Sequence, residues 1–352
     1  MSIEYEQYYS NALDLNEHEE TLRDRLAPRL PDLMIDTHVH AAAPEHFDIN
    51  TMPDHVRSHM MSTFPVTTIE MSQDIDQALL PGQEIRKLRF AHAFSGIAHR
   101  AVNEYLRSAS PEGDRVALFG VSNNEADVEY TRAELKSGQY EGLKMYYNAS
   151  NPPKKELFEY FPPEVLTVAE KENVPIILHL PASLYNSADE VEAVVARYPT
   201  LKVVLAHIGV AHVVRPELDG ILKRFAKSGN VYVDTSGVDS PQLVSKALEH
   251  LGTDHVLYGS DEPLNLIRAV VYDNPELGPR LLTDYDYHWA DSEEQAKWRH
   301  LAGEPFVHNQ WRQLQAILTA VESLNIRPED KSKVLESVFH GNAQTVFGFS
   351  AS

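Results

Sequence analysis

The chain has 352 residues, 43% of them hydrophobic, which is enough for a large core and more than one small module needs. Lys plus Arg number 31 against 52 Asp plus Glu, a formal charge of −21 that repels phosphate backbones and anionic membranes, so no nucleic-acid or membrane partner is expected. The absence of cysteine excludes disulfides, thiolate metal sites and cysteine nucleophiles; with an acidic, polar start and no apolar run near ~18 residues, the expectation is a cytoplasmic protein.

Residues 1–30 read as an extension ahead of the first strand. Short apolar runs then recur, each closing on a polar or glycine-containing tip. They are LMIDTHVH (33–40), VTTIEM (66–71), VALFGVSN (116–123), GLKMYYN (142–148), VPIILHLP (174–181), LKVVLAHIG (201–209), VYVDTSG (231–237) and HVLYGSD (255–261). Near-continuous apolar runs of this length predict parallel strands covered on both faces. Between them, PEVLTVAEKENVP, NSADEVEAVVARYP and QLVSKALEHLGTD predict helices, the second with Ser187 and Glu190 as a capping box.

The polar tips keep a regular interval. His179 to His207 is 28 residues, and His207 to Asp234 and Asp234 to Asp261 are 27 each. One strand, one helix and two loops fill such an interval. Eight runs predict an α/β fold, a single closed (β/α)8 TIM barrel over residues 1–352, ahead of an open doubly wound sheet. No glycine-rich phosphate loop follows any run, which argues against the open sheet. Residues 41–65 and 262–325 are too long for plain connections and are expected as loop insertions at the C-terminal face, where substrate pockets and subunit contacts form.

In a strand, residues i and i+2 share a side, so His38 and His40 face one way together. Each polar tip has a bland alternative: strand-end polarity for that pair, a hydrogen-bonded core imidazole for His179 and His207, a helix N-cap for Asp261. Coincidence at the same rim of one barrel is the less economical account. Asp234 either lines the pocket or caps a turn. His92, His99, His250 and His340 read as helix-surface or loop residues.

The series His-x-His after strand one, His after strands five and six, and Asp after strand eight resembles the amidohydrolase superfamily. The close FHGNAQTVFG (339–348) resembles the branch that includes aminocarboxymuconate-semialdehyde decarboxylase. That resemblance implies one divalent metal held by His38, His40, His179 and Asp261, with His207 beside it. Imidazoles and a carboxylate suit zinc, and also manganese or iron(II). Asp261 is then the candidate base for a metal-activated water, and His207 polarises the carbonyl or protonates the leaving group.

Lys144 ends strand four, where superfamily relatives carry a carboxylated lysine bridging a second metal. A substrate-binding or barrel-interior ammonium is the other reading. Tyr146 at the same rim, and Arg57, His46 and His55 in the first long loop, are candidates to orient an anionic substrate. The activity expected first is hydrolysis of a small-molecule amide, cyclic amide or lactone. The alternative is non-oxidative decarboxylation of an aromatic or unsaturated acid, and a barrel that binds ligand without turnover is the reading from a different class. A homodimer is expected from family habit.

Overall fold

A computed structural model describes residues 13–350 apart from 49, 51, 53, 55–65, 151–152, 277, 285–290 and 304. Eight parallel strands run in sequence order around a barrel: β1 (Leu33–His40), β2 (Glu84–Phe90), β3 (Arg115–Gly120), β4 (Gly142–Met145), β5 (Ile176–Leu178), β6 (Val203–Leu205), β7 (Val231–Asp234) and β8 (Val256–Leu257). The ring closes through residues just past β8. Thr37 N–H donates to the Tyr258 carbonyl at 3.0 Å, Asp261 N–H to the His38 carbonyl at 3.0 Å, and His40 N–H to the Glu262 carbonyl at 2.8 Å. This seam delivers Asp261 to the histidines of β1. The fold is the expected (β/α)8 barrel.

Helices alternate with the strands. They include α1 (Glu17–Leu26) ahead of β1, α2 (Ile69–Leu79) before β2, α3 (His99–Ala109) before β3, and α4 (Leu184–Arg197) before β6. Two expectations change. The run at 66–71 is not a strand: Thr68 caps α2, its hydroxyl accepting the Met71 N–H at 3.2 Å. The second strand is instead EIRKLRF, whose charged side chains hid it. Nor does Ser187 cap a helix. The helix starts at Leu184 after Ser183, and Ser187 lies buried inside it.

The charged strand is affordable because its cations are neutralised locally. Lys87 is fully buried, and its Nζ reaches Asp76 Oδ1 at 2.7 Å, Glu262 Oε2 at 2.8 Å and Ser72 Oγ at 2.9 Å. Arg89 Nε donates to Asp114 Oδ2 at 2.8 Å and its Nη1 to Ser72 Oγ at 2.6 Å. Ser72 in turn donates its hydroxyl to Glu262. Buried charge is tolerated when paired and hydrogen-bonded in this way.

The 262–325 segment has secondary structure of its own. It holds an antiparallel sheet of β9 (Arg268–Asn274), β10 (Gly278–Thr283) and β11 (Val307–His308), then the barrel-packing helix α5 (Asn309–Ser323). Helix α1 docks there through Glu19, which is fully buried and accepts from Arg268 at 2.6 Å and from the His308 N–H at 2.7 Å. Much of the 41–65 segment, with Arg57 and His55, lies outside the described residues. His46 is buried, accepts the Ala43 N–H at 3.0 Å and packs on Tyr105, so it shapes the loop. Among the described residues no helix is long and apolar enough to cross a membrane.

Candidate metal centre

His38 and His40 end β1, and both are buried. Each ring is held from behind. His38 Nδ1 lies 2.9 Å from Asp234 Oδ2, and His40 Nδ1 lies 3.0 Å from the Ala91 carbonyl. An imidazole that donates through Nδ1 keeps its lone pair on Nε2. Both Nε2 atoms face Asp261 Oδ1, at 3.4 and 3.6 Å. One ligand atom from each of His38, His40 and Asp261 lies within 4.8 Å of the others. Two imidazole lone pairs and a carboxylate converging in a buried site are a donor set that fits a divalent cation.

The remaining predicted residues gather around this group. The His207 ring lies 5.0 Å from that of His38 and 4.9 Å from that of His179. His179 stands outside the three-residue group, with its Nε2 3.3 Å from the Tyr146 hydroxyl. Lys144 is buried, and its ammonium sits 5.0 Å from the Phe90 ring centre. Tyr146 and Tyr147 stack at 4.6 Å on the flank of His179.

The electrostatics follow from burial and crowding. Burial pushes the His38 imidazole down to about 4 and the nearby Lys144 pushes the same way, so the ring is neutral at ordinary pH. Burial alone would raise the Asp261 carboxyl, but His207, His40 and His38 hold it far below the usual carboxylate range. Lys144 is lowered to about 8 by burial, with Asp234 and Asp261 pulling back. An ammonium this close to neutrality is unusual for lysine.

Local backbone is shaped for the site. Asp261 has φ 65°, and the turn after β6 runs left-handed through His207 (57°), Ile208 (48°), Gly209 (67°) and Val210 (58°). Non-glycine residues there are strained, and such strain concentrates at functional sites. Gly259 is needed for space: a Cβ there would meet His38 Cβ at 2.9 Å and Ser236 Cβ at 3.3 Å. Gly259→Ala is expected to displace His38 and lower metal affinity by at least about tenfold, read by calorimetric titration with manganese; unchanged affinity would refute the packing argument.

Two histidines expected on a helix surface or in a loop are buried instead. His92 is fully buried past the end of β2, stacked on His40 at 5.4 Å and 13°. His99 is buried under it, its Nε2 3.2 Å from the His92 carbonyl. The tip LRFAH closes on a histidine just as PIILH and VVLAH do, but the charges of β2 concealed the strand.

Burial depresses His99 to about 4 from 6.5. The unfolded chain therefore takes its proton first, and stability present above pH 6.5 drains as pH falls towards 4. His99→Gln is expected to remove on the order of 2–3 kcal/mol of acid sensitivity between pH 7.5 and 4.5, measured by denaturant unfolding. Parallel profiles for the two proteins would dismiss His99 as a contributor.

Barrel and donor set together define a metal-binding (β/α)8 enzyme. Residues 35–349 match the amidohydrolase family model, and the chain belongs to the amidohydrolase family, as its strand-end motifs implied. No curated protein matches the chain.

Similar solved structures share the fold at low identity. Amidohydrolase 2 from Bifidobacterium longum subsp. infantis is 14% identical with a TM-score of 0.55, covering 91% of this chain and 100% of its own. The 2,6-dihydroxybenzoate decarboxylase from Rhizobium is 15% identical, TM-score 0.54, covering 90% and 99%. The 5-carboxyvanillate decarboxylase from Novosphingobium aromaticivorans, complexed with manganese and 4-hydroxy-3-methoxy-5-nitrobenzoic acid, is 13% identical, TM-score 0.53, covering 90% and 96%.

Proposed function

We propose that this protein is a metal-dependent, non-oxidative decarboxylase of a small aromatic carboxylic acid. The observation that carries the reading is aromatic lining on both flanks of the cluster. His92 and Phe94 stack in line with His40 on one flank, and Tyr146 and Tyr147 stack beside His179 on the other. Flat rings pack well against such walls. The decarboxylases among the similar structures support the same reading.

In this reading His38, His40 and Asp261, with His179 as fourth ligand, hold one divalent ion, manganese or zinc. Bound there, such an ion would supply positive charge to the acidic end of the substrate. Lys144 adds a second positive charge from the barrel interior, and Tyr146 orients the ring. His207 is fixed through Nδ1, which lies 2.8 Å from the Ser236 carbonyl, so Nδ1 keeps its own proton and Nε2 is the atom that takes up and gives the proton in the reaction. The bond between ring carbon and carboxylate breaks, its electron pair stays on the ring, and that carbon takes a proton as CO2 leaves. No oxidant or reductant is required.

Membership of the amidohydrolase family leaves a second reading open, hydrolysis of an amide or lactone, in which Asp261 takes a proton from water and His207 polarises the carbonyl. One screen separates the two. The metal-loaded chain is offered hydroxylated benzoic acids, amides and lactones, and its metal content is measured. CO2 release with about one ion per chain is expected. Amide or lactone cleavage without CO2 would replace the decarboxylase reading. Two ions and a response to bicarbonate would instead make Lys144 a carboxylated bridge.

A further inference from the structure

Asp234, at the end of β7, is fully buried and lies outside the three-residue ligand group. Its two oxygens have different duties. Oδ2 lies 2.9 Å from His38 Nδ1. Oδ1 accepts the His207 N–H at 2.9 Å and the Ser236 N–H at 3.1 Å, and also takes the Ser236 hydroxyl. Both oxygens are thus engaged by donors, and Asp234 braces the ligand group from outside it.

Ser236 completes the link. Its Oγ sits 3.1 Å from His38 Nδ1 and 2.9 Å from His207 Nδ1. The backbone of His207 needs such an anchor, because three non-glycine residues of its turn stand in the left-handed region. A carboxylate accepting the first N–H of that turn holds it in place. Asp234 thereby sets two things at once: which nitrogen of His38 keeps its lone pair, and where the His207 ring stands.

We propose that Asp234, braced by Ser236, is the positioning residue that couples the metal-holding His38 to the proton-carrying His207. The proposal rests on the metal-site reading above. It separates the residue's role from that of a turn cap or a substrate contact. A cap alone would use one oxygen, and a substrate contact would leave one open. Asparagine cannot replace the carboxylate, since its single acceptor oxygen serves one side of the site and its NH2 then faces an N–H donor on the other, either His38 Nδ1–H or the N–H groups of His207 and Ser236.

Two measurements test this on the full-length, metal-stripped chain. The first is 15N NMR of the histidine side chains in the unmutated protein. A neutral His38 and a His207 both protonated on Nδ1 are expected; a His38 proton on Nε2 overturns the proposal. The second is calorimetric titration with manganese(II) alone. Asp234→Asn is expected to bind it 10–100-fold more weakly. Affinity within twofold of the unmutated chain overturns the proposal.

If the variant does not fold, the tautomer measurement decides alone. An unmutated chain that takes up no manganese refutes the metal reading, while the coupling of His38 to Asp234 is still judged by the tautomers.

Discussion

Asp261→Asn is expected to lose its bound metal and at least about a thousandfold in turnover, while keeping the fold. The carboxylate is the only anionic member of the ligand group, and the two facing imidazoles are neutral when they offer their lone pairs. An amide oxygen is a weaker donor for a divalent ion and carries no charge to balance it. The fold should survive because what joins Asp261 to β1 is its backbone N–H on the His38 carbonyl, which the substitution leaves in place. Metal content by emission spectroscopy, turnover and circular dichroism give the three readouts. A variant that retains one ion and turnover within tenfold of the unmutated protein would remove Asp261 from the site.

Lys87→Met is expected to cost about 3–5 kcal/mol, because it leaves the buried Glu262 and the half-buried Asp76 without their shared cation. At about 2–3 °C per kcal/mol, Tm should fall by roughly 6–15 °C. The effect should reach the metal centre too. Glu262 follows Asp261 directly, and its carbonyl accepts the His40 N–H. Releasing the Glu262 side chain loosens the segment after β8 that carries Asp261. Adding Glu262→Gln should recover part of the loss, since the second substitution removes one stranded charge. A single variant that melts within 2 °C of the unmutated protein would mean that the network contributes little.

The same network explains what was hard to read. Strands β1 and β3 to β8 announced themselves as apolar runs because both faces of a barrel strand are covered. Strand β2 carries Arg86, Lys87 and Arg89, and nothing local to it says that Asp76, Asp114 and Glu262 will neutralise the inner two. Glu262, next to Asp261 in the chain, is the far end of that clamp. Asp234 was visible as a strand-end carboxylate, but the two histidines it joins, His38 and His207, lie 196 and 27 residues away.

By itself, then, the sequence determined the barrel and the identity of the residues at its rim. Strand periodicity is local, and a repeat of one strand and one helix puts every tip at the same end. Which tips act together was decided only by closure of the ring. The seam between residues 258–262 and β1 sets Asp261 against His38 and His40, the stacking of His92 on His40 fills one flank, and Tyr146 faces His179 on the other. These are contacts between segments far apart in the chain, set by shear and packing, and no local pattern encodes them.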